Sequence, residues 1–408
     1  MVKFIIKSLL NKAHFLNWNQ DDYLKYFLSI SNNKNKIKTI LAKENTPIFI
    51  GDTKIIAQRH HDLKNALEKN WLNYQISYSF KTNYSIIENN YFKNNFWAEV
   101  VSAKEYLLAE KNQYKNIIFN GPLKTESSLK QAIKNNSIIN LDHESEITKV
   151  AKHNNKTKTN FGLRLNIITD QTTQKSRFGF SIENKQAEKA LKIAKINNVS
   201  ISGLHIHLGT NIPNCKKYQQ AAKKISDFIV KNKLTKQIRY IDFGGGFVSH
   251  ANPPNDRLNW NIPDIEEYIQ AITTTLKQVF HREKKPILLV EPGRYLVEDA
   301  ISLFSRIENK KIENQTQLIT TDTSINMLPI THYRKHIVQI AKENLNIKTG
   351  KKIKTIIYGA TCQEDDILFE GYLPKISESD YLIWHATGAY NDSMNSNFIF
   401  DKPKTVFI

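Results

Sequence analysis

The chain has 408 residues, 40% hydrophobic and 10% aromatic, which excludes a disordered chain and leaves room for two domains or one large barrel with an addition. The net charge of +19 would suit an anionic partner. The basic residues do not cluster, however, and no zinc-finger or RNA-binding pattern interrupts the chain, so nucleic acid is not an expected partner. Cys215 and Cys362 form no CxxC pair, so no disulfide framework or metal site is expected and a reducing, cytoplasmic setting fits.

The first ten residues, Met1 to Leu10, are weakly signal-like. Lys7 breaks the apolar run and no small-residue cleavage site follows, so they read as mature protein. No apolar stretch is long enough to span a bilayer, and no membrane partner is expected. Residues 1–45 are polar and irregular. Leu24, Phe27 and Leu28 put one face on a short helix within Asp21 to Leu28, and Ser31 to Lys38 reads as a solvated loop.

From Pro47 the texture changes to short apolar runs, each closed by polar or glycine residues. The first four runs end at Lys81, at Glu99-Val100-Val101-Ser102, at Phe119-Asn120-Gly121-Pro122 and at Leu141-Asp142. The next four end at Arg164-Leu165-Asn166, at His205-Ile206-His207-Leu208-Gly209, at Asp242-Phe243-Gly244-Gly245-Gly246 and at Glu291-Pro292-Gly293-Arg294. Between them, Ala187, Ala190, Leu191 and Ala194 have helical spacing, as do Ala221, Ile225, Phe228 and Ile229. Eight strands alternating with helices over about 250 residues predict an α/β fold, a (β/α)8 barrel. After Arg294, strands are predicted at Ala300 to Ile307, Gln317 to Thr321, Ile353 to Tyr358, Tyr381 to Ala386 and Thr405 to Ile408, without long helices. The expected division is a barrel over residues 47–296 and a β-domain over 297–408. Residues 1–46 are expected to join the β-domain, since chain termini often lie close together.

Barrels of this kind carry their sites at the C-terminal ends of the strands, with phosphate held after strands seven and eight. Here strand seven ends in Gly244-Gly245-Gly246, which lets backbone N–H groups approach an anion, and strand eight ends in Arg294. Strand one ends in Lys81. A lysine, a phosphate cradle and an acid able to keep a pyridine nitrogen protonated, here Glu291, are the parts that pyridoxal phosphate requires. His205 alternates with His207 and is expected to face the other side of the strand, as a structural residue. Cys215 is given no role.

With these motifs the chain resembles the alanine-racemase-fold pyridoxal-phosphate decarboxylases, the family of diaminopimelate and ornithine decarboxylases, from about Pro47 to Ile408. The resemblance rests on Ser79-Phe80-Lys81-Thr82-Asn83, Val100-Val101-Ser102-Ala103-Lys104-Glu105, Leu204 to Thr210, Asp242 to Gly246, Glu291 to Arg294, Cys362-Gln363-Glu364-Asp365-Asp366 and Gly388-Ala389-Tyr390. It implies a barrel followed by a C-terminal β-domain, and a cytoplasmic homodimer with shared sites. Lys81 would attach the cofactor, with Glu99 beside it. His207 would stack on the ring, Glu291 would bond the ring nitrogen, and Arg164 would lie near the ring oxygen. Gly244, Gly245, Gly246, Thr210, Arg294 and Tyr390 would hold the phosphate. Cys362, from the second subunit, would protonate the product carbon, and Asp366 would enter from the same subunit.

Two departures bear on the substrate. The residue after the C-terminal cysteine, acidic in the family, is Gln363. The arginine of the family's Arg-Pro-x-x-Tyr substrate stretch is Leu328, followed by Pro329, Ile330, Thr331, His332 and Tyr333. Gln363, Asp366, His332 and Tyr333 are the expected substrate contacts. A free distal ammonium would lack its anion, which points to an acylated diamino acid. N-citryl-ornithine, an intermediate of carboxylate-siderophore biosynthesis leading to a rhizoferrin-like product, is the specific expectation. Diaminopimelate, ornithine or lysine decarboxylation is the alternative. A racemase would need two bases flanking Cα and usually an arginine at the pyridine nitrogen, and a non-catalytic regulator would tend to lose the lysine or the phosphate site.

Overall fold

The structure is a computed structural model that describes residues 24–153, 159–169, 176–251, 262–281 and 284–408. The described residues form two compact units. One comprises the described parts of His60–Val248 and Pro263–Gly293. The other comprises the described parts of Met1–Arg59 and Ser249–Ile262, with Arg294–Ile408.

Strands are numbered in chain order, and β1 (Ile48–Gly51) belongs to the second unit. In the first unit, β2 (Tyr74–Ser79), β3 (Trp97–Val100), β4 (Ile117–Phe119), β5 (Ile138–Leu141) and β6 (Asn160–Asn166) pair in parallel in that order. A two-residue strand, β7 (Phe180–Ser181), pairs with the end of β6. The run continues through β8 (Ile201–His205), β9 (Tyr240–Asp242) and β10 (Ile287–Val290), and β10 pairs with β2. Eight parallel strands thus close a barrel, as the eight apolar runs predicted. The predicted helical spacings lie in helices Gln186–Ile196 and Cys215–Lys231. Polar caps set where helices begin: the Ser102 hydroxyl accepts the Glu105 N–H at 3.2 Å, a cap worth about 1 kcal/mol.

The barrel interior is layered. Ile118, Ile138, Tyr240 and Leu289 pack together with Trp97 and Ile287. Side chains alternate along a strand, so the positions two residues further on face the same way. Those positions are Asn120, Asn140, Asp242, Glu291 and Glu99, which turns the top of an apolar barrel into a polar floor. Glycine makes this possible at two points. A Cβ on Gly203 would lie 2.0 Å from the Tyr240 ring, and one on Gly162 would lie 2.2 Å from its hydroxyl. The tyrosine therefore fills space that two neighbouring strands leave empty.

The second unit is a mixed sheet. β11 (Ile301–Glu313), β12 (Thr316–Thr321), β13 (Ile337–Ala341), β14 (Lys352–Tyr358), β15 (Ile367–Pro374) and β16 (Tyr381–His385) run in the order β13-β16-β11-β12-β14-β15. β1 pairs antiparallel with β11 and parallel with β17 (Lys404–Phe407). The expected barrel, residues 47–296, included β1, and the structure places it here instead. The reason is that Ile48-Phe49-Ile50-Gly51 is a uniformly buried run with no alternation to tell one sheet from another.

Residues 31–38 are not a solvated loop. A helix spans Lys34–Lys43, and Ile37, Ile40 and Leu41 bury a stripe at i, i+3, i+4 on an otherwise lysine- and asparagine-rich segment. Of the helix predicted within Asp21 to Leu28, Asp21 to Tyr23 lie outside the described residues, as do Met1 to Leu10. Leu24 is helical, whereas Phe27 and Leu28 leave the helix and bury in two different clusters of the unit. Among the described residues, no helix is long and apolar enough to cross a membrane.

Candidate active site

β2 ends at Ser79, and a single 3-10 turn, Phe80–Thr82, carries Lys81 just beyond it. The turn presents the amine to the acid on the next strand. Lys81 Nζ lies 2.7 Å from Glu99 Oε2 and donates to Ser79 Oγ at 2.8 Å. Ser79 Oγ in turn donates to Glu99 Oε2 at 2.6 Å. The lysine is therefore held at a fixed point rather than swinging in solvent, and its ammonium is paired with a buried carboxylate.

Glu291 is buried just past the end of β10, the strand that pairs with β2 on the side opposite β3. A carboxylate oxygen of Glu291, one of Asp242 and a ring nitrogen of His205 all lie within 4.8 Å of one another. Burial opposes ionisation of Glu291, but His205, a hydrogen bond from Asp242 and the Lys81 cation bring its carboxyl down to about 2. Asp242 moves the opposite way: burial and the Glu291 charge push it well above the usual carboxylate range. The pair thus holds one proton, on Asp242, and leaves Glu291 anionic. A buried anion there is the partner a protonated pyridine nitrogen needs.

His205 does not turn away from the barrel interior as expected, because residues two apart on a strand share a face and its spacing from His207 gives no ground for opposite sides. His205 faces the barrel interior, with Nε2 3.6 Å from Glu291 Oε2, and both of its buried ring nitrogens lack a hydrogen-bond partner among the described residues. His207 follows in the loop. Desolvation, then the nearby Lys81 and Arg164 cations, pushes His207 down to about 3, so its imidazole is neutral. Arg164 sits on β6, with Nη1 3.4 Å from Asp142 Oδ1 and its guanidinium 4.6 Å from the centre of the Phe178 ring.

The glycine segment runs so close to its neighbours that a Cβ at any of the three positions would collide with them. Gly244 and Gly246 have φ of 61° and 93°. A Cβ on Gly245 would lie 2.4 Å from the Glu291 carbonyl oxygen, and one on Gly244 would lie 2.9 Å from His207 Nδ1. The segment is pinned, because Gly244 N–H donates to Asp242 Oδ1 and Tyr218 hydroxyl donates to the Gly245 carbonyl, both at 2.9 Å. Thr210 is exposed beyond the β8 end. Lysine, anionic acid, neutral histidine and a side-chain-free backbone stretch fit pyridoxal phosphate, whose bound ring supplies an electron sink for the substrate Cα.

The second unit carries the remaining residues. The Arg294 guanidinium lies 4.9 Å from the Tyr390 ring centre. Glu298, wholly buried one turn after Arg294, accepts hydrogen bonds from Arg294, from Arg334 and from the Ser249 hydroxyl. Arg334, Glu298 and Ser249 belong to no motif that the sequence offered. Cys362 and Gln363 are exposed on the chain, as are His332 and Tyr333.

Asp366, expected to face the substrate, is 1% exposed. Its carboxylate accepts the Ile325 N–H at 2.8 Å and, from Thr361, the N–H at 3.0 Å and the hydroxyl at 2.6 Å. It ties the loop bearing Cys362 to the segment leading to Leu328, Pro329 and His332. Leu328 is itself fully buried.

A closed parallel barrel with this lysine, acid and glycine segment at its mouth, together with a mixed β-sheet unit, defines an alanine-racemase-like pyridoxal-phosphate enzyme. A family model described as pyridoxal-dependent decarboxylase, pyridoxal binding domain, matches residues 53–298. The chain belongs to that family and is a pyridoxal-phosphate-dependent carboxy-lyase. It is 28% identical over 392 residues to diaminopimelate decarboxylase of Bacillus methanolicus, covering 90% of this chain and 88% of the relative. It is 25% identical over 316 residues to a chloroplastic ornithine decarboxylase of Nicotiana glauca, covering 72% and 68%. The crystal structure of M. jannaschii diaminopimelate decarboxylase in complex with L-lysine has a similar fold, with a TM-score of 0.80 at 24% identity over 91% of this chain and 89% of the other.

Proposed function

We propose that the enzyme decarboxylates a diamino acid whose distal amine is acylated, with N-citryl-ornithine as the specific candidate and carboxylate-siderophore biosynthesis as its setting. The observation that carries this reading is Gln363, a neutral amide where the family has an acid; the arginine replaced by Leu328 bears separately on a distal carboxylate such as that of diaminopimelate. Gln363 is exposed beside Cys362 and offers a neutral amide, which suits an amide or carboxylate. Leu328 is buried and apolar where the family stretch has its arginine. An ammonium deprived of its charge-assisted partner loses about 1.5–3 kcal/mol, so free diamino acids would be poor substrates by roughly ten- to a hundredfold.

In this reading Lys81 would hold the cofactor, with Glu99 and Ser79 keeping its Nζ in place. Glu291 keeps the ring nitrogen protonated. His207 stacks on the ring, and Arg164 lies beside the ring oxygen. Gly244, Gly245 and Gly246, with Thr210, Arg294 and Tyr390, hold the phosphate. Cys362 delivers a proton to Cα from a second copy of the chain, and its exposure on the single chain supports that role. His332 and Tyr333, exposed in the same unit, are the remaining substrate contacts.

A free diamino acid is the second reading, supported by the diaminopimelate and ornithine decarboxylases among the relatives. Product analysis by mass spectrometry over citryl-ornithine, ornithine, lysine and diaminopimelate separates the two. The citryl amide should be turned over at least tenfold more efficiently, and Gln363→Glu should narrow the gap. Equal kcat/KM for ornithine and its citryl amide would refute the acylated-substrate reading and leave the decarboxylase intact.

A further inference from the structure

We infer that Asn120 is a positioning residue that sets the carboxylates of Glu99 and Glu291 with a single amide, linking the acid beside Lys81 to the acid that serves the cofactor nitrogen. Asn120 Nδ2 donates to Glu99 Oε1 at 3.0 Å and to Glu291 Oε1 at 2.6 Å. Its amide has two hydrogens, one for each carboxylate. Its Oδ1 accepts from Asn140 Nδ2 at 2.8 Å, and Asn140 Oδ1 accepts the Tyr240 hydroxyl at 2.8 Å. All five side chains are almost wholly buried.

The orientation follows from the chemistry. Flipping the Asn120 amide would set its oxygen against two carboxylate oxygens, so both N–H groups must point at the acids. That choice makes Asn120 an acceptor toward Asn140, and Asn140 an acceptor toward Tyr240. Gly162 leaves the room for this link, since a Cβ there would lie 2.4 Å from Asn140 Oδ1 as well as close to the tyrosine hydroxyl. The barrel thus builds a three-residue support that ends on the pair of acids. The charged and titratable groups facing those acids are Lys81, Glu105, Arg164, His205, His207, Tyr240 and Asp242. Among them, Asn120 is a neutral donor shared by both carboxylates. Without it, Glu291 loses a short hydrogen bond to its charged form and competes with Asp242 for the proton they share. The cofactor's nitrogen would then face a partner of altered charge.

The test uses the full-length enzyme loaded with pyridoxal phosphate, in wild-type, Asn120→Leu, Asn120→Ser and Glu291→Gln forms. The readouts are the cofactor dissociation constant and the pH dependence of the bound cofactor's absorption. Asn120→Leu fills the space without a donor, and it should weaken cofactor binding by about ten- to a hundredfold and shift the absorption titration by about one pH unit. Asn120→Ser keeps one donor and should move both in the same direction by less. It also decides the matter if the leucine variant does not fold. Wild-type affinity and an unshifted titration in a folded Asn120 variant, with Glu291→Gln shifted, would overturn this inference alone. An unshifted Glu291→Gln would overturn the assignment of Glu291 to the ring nitrogen, and this inference with it.

Discussion

At the scale of single residues, charge is handled by pairing it before it is buried. Glu298 is the clearest case outside the barrel. Its carboxylate has no exposure and meets two guanidinium groups and a hydroxyl, and burial pushes the Arg334 guanidinium down from its ordinary value while Glu298 opposes that shift. Removing the one anion leaves two arginines without their shared partner in a low-dielectric interior. Glu298→Ala is therefore expected to destabilise the protein by about 3–5 kcal/mol, read as a fall in the urea midpoint, because breaking a buried pair costs far more than the pair contributes. A loss below 1 kcal/mol would mean that water reaches the cluster. Arg294 is also the residue proposed for the phosphate, so the same variant should weaken cofactor binding.

At the scale of elements, the barrel strands were legible because they are short, apolar and closed by polar residues. Lys81, Glu99, Arg164, Gly244 and Glu291 were visible for the same reason: each marks the place where an apolar run stops. Asn120, Asn140 and Tyr240 were not visible, because an inward asparagine in a buried run looks like any other turn residue until the strands around it close. The inward face of His205 was legible too, since residues two apart share a face and its spacing from His207 argues for the same side rather than the opposite one. β13 and β15 were missed, the latter because Gly371 breaks its run and Pro374 closes it. The interlock between strands gives a direct test. Gly162→Ala puts a methyl against the Tyr240 hydroxyl and should cost about 1–3 kcal/mol. Tyr240→Phe removes that hydroxyl and should recover part of the loss in the double variant, a coupling that thermal melts of the four proteins would measure. Additive losses would show that the strand, not the tyrosine, bears the strain.

At the scale of the whole molecule, Cys362 and Gln363 are exposed on the chain that carries them, while the candidate cofactor-binding lysine lies in the barrel unit. Two copies exchanging these loops would complete each other's sites. Mixing Lys81→Ala with Cys362→Ala subunits should then restore about a quarter of wild-type activity, since half the dimers are mixed and each has one intact site. No recovery after subunit exchange would contradict shared sites. Everything proposed for this protein depends on where the cofactor is attached. The most direct measurement is borohydride reduction of the purified, cofactor-loaded protein followed by peptide mapping. A pyridoxyl group is expected on Lys81 and none in the Lys81→Ala variant; a label on any other lysine, or no covalent label at all, would contradict attachment at Lys81.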